Sequence, residues 1–167
     1  MENQNQQFDY AYEQFNDSCR LFLDKHYKSA LTLAGAAEEI WGKLIEKNNK
    51  SSTKNTNAYE DLKLFLIKSY EEKKREKPCK YFLNDVHDVL NGPRNFAKHF
   101  MGDQSGKIKN TFNSRNYILE LLEKEPAECA ESMICRALLN YYKFLGRLPD
   151  SKEFRQFLSK HIRLNKE

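Results

Sequence analysis

Apolar residues recur at three- and four-residue intervals along most of the chain, and no stretch alternates for long enough to read as a strand. Phe8, Tyr12, Phe15, Cys19 and Phe22 predict a helix over 7–23, with Asp24-Lys25 joining it to the next helix or capping that one. The segment HYKSALTLAGAAEEIWGKLIEK at 26–47 carries the strongest pattern. Leu33, Ala37, Trp41 and Leu44 fall on one stripe, flanked by Ala30, Ala34 and Ile40, and a stripe this wide marks a central helix. The AGAA run at 34–37 keeps side chains small, so that another helix backbone can come close.

The polar run NNKSSTKNTN at 48–57 predicts a flexible loop. Helical periodicity returns over 58–75 through Leu62, Phe65, Leu66 and Tyr70, and Pro78 stops it. Tyr81, Phe82, Val86, Val89 and Leu90 predict a short amphipathic helix over 79–90. Asn91-Gly92-Pro93 interrupts it, and the pattern resumes through Phe96 and Phe100. A second loop is expected at 102–110, then a helix at 113–124. Pro126 suits the first turn of a further helix, which runs through Ala130, Met133, Ile134, Ala137, Leu138, Tyr141 and Leu145 and stops at Gly146. Asp150 or Ser151 caps a last helix containing Phe154, Phe157 and Leu158. The expectation is an all-α bundle of about six or seven helices.

Composition narrows this picture. A chain of 167 residues reads as one domain over 1–167, and 40% apolar residues give it material for a core. Six glycines and four prolines are few breakers for that length. The net charge of +4 permits a polyanionic partner without requiring one. Lys73, Lys74 and Arg75, in the KKREK run, and Lys98 are candidate nucleic-acid contacts, a solvated helix end being the alternative for the run. Cys19, Cys79, Cys129 and Cys135 form no CxxC pair and read as free thiols of a reducing compartment, with Cys129 and Cys135 as core filler. Tyr141 and Tyr142 read as core aromatics. The polar start MENQNQQFDY has no apolar signal region, and no apolar run reaches the ~20 residues of a membrane span, so a cytoplasmic protein without membrane contact is expected.

The stretch NGPRNFAKH at 91–99 holds the candidate chemistry. Asn91 suits an N-cap, which places Gly92 and Pro93 in a first turn and Arg94 and Asn95 near a helix start, where free N–H groups and the dipole favour an anion. Asn95 and His99 are four apart and share a face; Arg94 and His99 are about 140° apart in projection, within reach of a long side chain. An imidazole, an amide and a guanidinium beside one phosphate suit phosphodiester chemistry: His99 moves a proton and Arg94 stabilises developing charge. Glu38 shares a stripe with Leu31, Ala34, Trp41 and Ile45 and needs a partner; it either supports Arg94 or His99 or snorkels from the stripe edge. His87 and Asp88 lie before the motif on a solvated face, and His26 reads as a cap or packing residue. No HExxH, HxxxH, P-loop or GxGxxG motif occurs, so neither a metal nor a cofactor is expected.

RNFAKH at 94–99 resembles the RxxxxH signature of the HEPN superfamily (higher eukaryotes and prokaryotes nucleotide-binding), with Asn95 as the polar residue after the Arg. HYKSALTLAGAAEEIWGKLI, LNGPRNFAKHF and MICRALLNYYKFLG, over roughly residues 26–157, also resemble a bacterial all-helical family with no assigned activity. The HEPN resemblance implies a small helical bundle, usually a homodimer with the two motifs at a shared cleft. It implies metal-independent cleavage of RNA, with His99 as general acid or base and Arg94 on the scissile phosphate. Such proteins serve in toxin–antitoxin and phage-defence systems, which implies an antitoxin or defence partner. HEPN toxins silenced by AMPylation carry a Tyr two positions after the His; Met101 stands there, so an antitoxin of that kind is not implied. A non-catalytic nucleotide- or protein-binding module of the same fold is the alternative.

Overall fold

The computed structural model describes residues 2–48, 56–74, 77, 83–84, 86–92 and 123–164. The chain is all-α, with no strand among the described residues. The long helices are α1 (Glu2–Leu23), α2 (Tyr27–Asn48), α3 (Ala58–Lys74), α4 (Pro126–Leu145) and α5 (Lys152–Leu164). Residues 86–92 form a further helical segment between α3 and α4. The expected loop at 102–110, the Pro78 helix stop, most of the 48–57 loop and the 113–124 helix as far as residue 122 lie outside the described residues, as does Cys79.

The α2 helix is the centre of the bundle, packed against α1 and α4, with α5 laid on α1 and the start of α3 on α4. Its core is aromatic. Trp41 is fully buried, with the Phe15 ring 5.5 Å away and the Tyr141 ring 5.1 Å away in a T-shaped arrangement. Phe8 stacks on Phe144, Phe154 packs on Phe15, and Phe22 meets Phe157 edge-on. Offset and edge-on geometries of this kind add about 0.5–1.5 kcal/mol each to the burial itself. Close helix approach is served as expected by small residues: Ala34, Gly35 and Ala37 are buried.

Several helix ends follow the expected chemistry. Pro126 begins α4, and Gly146 ends it in the left-handed region (φ 70°), its N–H bonded to Tyr142 O. Of the two cap candidates for α5, Ser151 does the work, its Oγ accepting the Phe154 N–H at 3.2 Å. The turn after α1 was only half legible. His26 N donates to Leu21 O at 2.8 Å and Lys25 N to Phe22 O at 3.0 Å. These two bonds close a Schellman motif that needs a left-handed residue, and Lys25 occupies that position at φ 64°. Lys25 therefore ends α1, while the His26 carbonyl accepts the Ala30 N–H at the start of α2.

Other details depart from the expected pattern. Leu33 and Ile40 are half-buried, whereas Leu31, Glu38 and Ile45 are buried. These three lie seven residues apart on one face, and Glu38 meets α4, so α2 buries two sides rather than one stripe. On α4, Tyr142, Leu145 and Cys135 are exposed, lying off the side that carries Met133, Ile134, Ala137 and Tyr141 into the core. The expected apolar face of α3 is hardly used: Phe65 is 64% exposed and Ala58 is its one buried residue. Polar contacts at its N-terminus dock that helix instead. Val89 is 49% exposed, while Val86 is buried.

Two outcomes are expected. Lys25→Gly removes the left-handed penalty on a side chain and raises stability by about 0.5–1 kcal/mol, read by urea unfolding; a loss of stability contradicts the assignment. Cys19, Cys129 and Cys135 are free thiols. Burial pushes the Cys19 thiol up to about 12, against an opposing hydrogen bond from Ser18, and burial also raises Cys129 and Cys135, of which Cys135 alone is exposed. At pH 8 a thiol with that pKa is about one part in ten thousand thiolate. Pulsed iodoacetamide labelling with peptide mass spectrometry should modify Cys135 first, Cys129 next and Cys19 last; early labelling of Cys19 contradicts the packing.

Candidate functional site

A polar seam runs along α4 where the pattern predicts apolar packing. Arg136, Asn140 and Lys143 stand at i, i+4 and i+7, so they share a side of the helix. That side faces the start of α3 and the 86–92 segment. Arg136 is 7% exposed. Its Nη2 donates to Glu38 Oε1 on α2 at 2.9 Å, and its Nη1 donates to the Leu90 carbonyl at 2.6 Å. The guanidinium also lies over the Tyr59 ring, 5.6 Å from its centre. Cation–ring contacts gain strength when desolvated, as this one is. Tyr59 is met edge-on by the His87 ring, 6.2 Å between ring centres. Burial holds the Tyr59 phenol above its ordinary pKa, which Lys63 opposes, so it stays neutral under physiological conditions.

One turn along, Asn140 is fully buried and uses both ends of its amide. Its Nδ2 donates to the Glu38 carbonyl at 2.9 Å, and its Oδ1 accepts the Ala58 N–H at 2.6 Å. Gly42 packs beside it: a Cβ there would lie in ordinary contact, 3.4 Å from Asn140 Nδ2 and 3.6 Å from Asn57 Cβ. Asn57 caps α3 by accepting the Glu60 N–H at 2.9 Å and donates to Glu46 at 2.6 Å. Lys143 closes the seam, donating to Thr56 O at 2.7 Å and to the Asp61 carboxylate, which Thr56 Oγ1 also serves.

Glu38 is thus 4% exposed and does not snorkel. Its partner on α4 is Arg136. Asn91 is not an N-cap either: it lies within the 86–92 helical segment and is 7% exposed. Gly92 is also helical, so the expected break does not fall at Asn-Gly. Arg94, Asn95, Lys98 and His99 lie outside the described residues, as does Arg75. Lys73 and Lys74 are exposed in the last turn of α3, where their charge favours the helix dipole whether or not they touch RNA. His87 is exposed, as expected, and lies 3.5 Å from Asp88.

The sequence pattern gives no role to Arg136 and marks Asn140 only as the polar edge of the LLNYY aromatics; it is also silent on Asn57, Tyr59, Asp61 and Lys143. The signal for the first two was present: an Arg and an Asn four apart inside the apolar run MICRALLNYY, facing a helix with a Glu in its own apolar stripe. The signal for Asn57 is the capping pattern Asn-x-x-Glu at 57–60. Elsewhere, an open groove on α1 is lined by Asp9, Glu13, Asp17 and Glu153 with one guanidinium, Arg20, a charge balance that repels phosphate. Among the described residues no group of three or more His, Cys, Asp or Glu is arranged to hold a metal ion. No helix among them is long and apolar enough to cross a membrane. Comparison with protein-family models, with curated proteins and with solved structures finds no match.

The seam has a pH signature. Burial works against ionising Asp61, but the Lys143 ammonium and the Thr56 hydroxyl outweigh it and hold the carboxyl below its usual range. A lowered folded pKa stabilises above the unfolded value of about 4 and is lost as pH falls through the folded one. Asp61→Asn should therefore lower stability at pH 5–7 by up to ~1 kcal/mol, a modest figure because the carboxylate is partly solvated, with the difference shrinking toward pH 2. A difference that does not change between pH 6 and pH 2 in urea unfolding contradicts this role.

Proposed function

We propose that this chain is a metal-independent endoribonuclease of HEPN type, acting at Arg94, Asn95 and His99. The observation that carries the reading is the Arg-Asn-x-x-x-His spacing at 94–99 in an all-α bundle. Support comes from where that stretch lies in the chain. It follows directly on a helical segment that Arg136 ties to the bundle at Leu90. A motif that must meet a phosphate within tenths of an ångström gains from a rigid attachment.

The chemistry asks for no group beyond the chain and the RNA. His99 as base takes the proton from a ribose 2′-OH, and the 2′-oxygen attacks the adjacent phosphorus. The bond from phosphorus to the 5′-oxygen breaks, and that oxygen leaves with a proton from an acid, His99 itself once protonated or water. The products are a 2′,3′-cyclic phosphate and a 5′-hydroxyl. Arg94 neutralises charge on the non-bridging oxygens, and Asn95 orients one of them. Lys73, Lys74, Arg75 and Lys98 contribute phosphate contacts along the RNA.

The reading extends to a cytoplasmic homodimer serving in toxin or phage-defence biology with a cognate partner. Its test compares RNA cleavage in EDTA by wild type, His99→Ala and Arg94→Ala. Wild type is expected to leave 2′,3′-cyclic phosphate ends, and each variant to cleave at least ~100-fold more slowly. Equal cleavage by wild type and His99→Ala, or none by either, overturns the catalytic assignment. RNA binding without cleavage by wild type would favour the non-catalytic module.

A further inference from the structure

Two sides of α4 are occupied. Its apolar side enters the core, and its polar side carries the seam of Arg136, Asn140 and Lys143. A third side faces outward as a line of exposed positions: Glu128, Ser132, Cys135, Leu139, Tyr142 and Gly146. Their spacing alternates between four and three residues, the repeat with which one helix meets another along a coiled-coil seam. Leu139 is 41% and Tyr142 49% exposed. Beyond Glu128 the line carries no charge, although 31% of the chain is charged and the outward side of a surface helix is ordinarily polar. Single apolar residues on a surface need no explanation, but a charge-free line at helix-pairing spacing does.

The line is graded along its length, and the gradient selects its partner. Its first half is acidic and small, with Glu128, Ser132 and Cys135. Its second half is bulky, with Leu139 and Tyr142, and ends at Gly146 beside the exposed Arg147. Laid antiparallel on a second copy, about a two-fold axis between positions 135 and 139, bulky side chains meet small ones. Leu139 meets Cys135 of the second copy, and Tyr142 meets its Ser132. Glu128 reaches Gly146 of the second copy, with Arg147 next to it. Each of these contacts occurs twice, as a two-fold axis requires. The antiparallel arrangement also sets opposite ends of the two helix dipoles side by side. A parallel pairing would put Tyr142 on Tyr142 and Glu128 on Glu128, with like charges repelling.

We propose that the outer side of α4 is a self-docking surface on which a second copy of this chain pairs antiparallel through Cys135, Leu139 and Tyr142. This goes beyond the homodimer of the nuclease reading by assigning a face, and it holds whether or not the protein cleaves RNA. A single helix pair is small beside an obligate interface, so the association is reversible and depends on concentration.

The test uses the full chain. Sedimentation equilibrium of the reduced wild type should show the mass doubling as protein rises from about 1 to about 300 μM. Leu139→Glu and Tyr142→Glu, each checked for its fold by far-UV circular dichroism, should lower the association constant at least about tenfold. If one of them does not fold, the other decides. Iodoacetamide labelling of Cys135 should slow over the same concentration range while that of Cys129 stays constant; in the dilute monomer Cys135 still labels first. Orientation is read by mild diamide oxidation. In Leu139→Cys the introduced thiol should link to Cys135 of the second copy, giving a covalent dimer mapped by peptide mass spectrometry. In Cys135→Ser/Leu139→Cys the two introduced thiols should not link, because the antiparallel register sets them ~6 Å apart along the axis, besides the separation of the helices. A monomer at every concentration overturns the proposal, as does a dimer whose association neither glutamate variant weakens. A link between the two introduced thiols overturns the antiparallel pairing.

Discussion

The Glu38–Arg136 ion pair is the constraint on which the rest of the polar architecture depends. Two opposite charges stand on facing helices in the interior, each nearly stripped of water. Neither is tolerable without the other, since removing one partner of such a pair typically costs about 3–5 kcal/mol. Meeting that condition fixes the axial register of α2 against α4, because the carboxylate and the guanidinium must arrive opposite one another. The register then places Asn140 beside the Glu38 carbonyl and opposite Gly42, and Asn140 in turn receives the first N–H of α3. Lys143, one turn on, completes the attachment of α3 through Asp61. One electrostatic pairing thus organises the approach of three helices and the 86–92 segment.

The two sides of α4 divide the labour of folding. The apolar side, with Ala130, Met133, Ile134, Ala137 and Tyr141, joins the aromatic core around Trp41 and supplies the non-directional part of the stability. The seam supplies direction. A helix held by a few buried hydrogen bonds at one end has a defined start without a large apolar footprint, which is why α3 leaves Leu64 and Phe65 facing solvent. The Leu90 carbonyl is held by the same seam, while Val86 and Asn91 of the same segment are themselves buried.

Helix type, the central place of α2 and the ends at Pro126, Gly146 and Ser151 were legible because each rests on local chemistry: periodicity, a missing N–H, a left-handed glycine, a side-chain cap. Lys25 was not, since a lysine in that conformation is held by the two backbone bonds of the turn and not by any preference of its own. The partial exposure of Leu33 and Ile40 was hidden for a related reason: a helix packed on two sides also buries the stripe of Leu31, Glu38 and Ile45, so no single stripe describes it. Glu38 is recognisable as a carboxylate in need of a partner, but Arg136, which meets it, lies 98 residues away inside the apolar run MICRALLNYY. Periodicity sorts polar residues outward, and two that point inward become visible only when the facing helices are considered together. The Arg-Asn-x-x-x-His spacing at 94–99 is legible in the sequence, and those residues lie outside the described ones.

The account stands on the coupling between Glu38 and Arg136, and a double-mutant cycle measures it directly. Urea unfolding of wild type, Glu38→Gln, Arg136→Met and the combined variant gives the interaction free energy of the pair. The prediction is a coupling of at least ~2 kcal/mol, with the double variant more stable than the sum of the single losses implies. Additive losses, with a coupling below ~0.5 kcal/mol, would mean that the two charges do not depend on one another and would contradict the account.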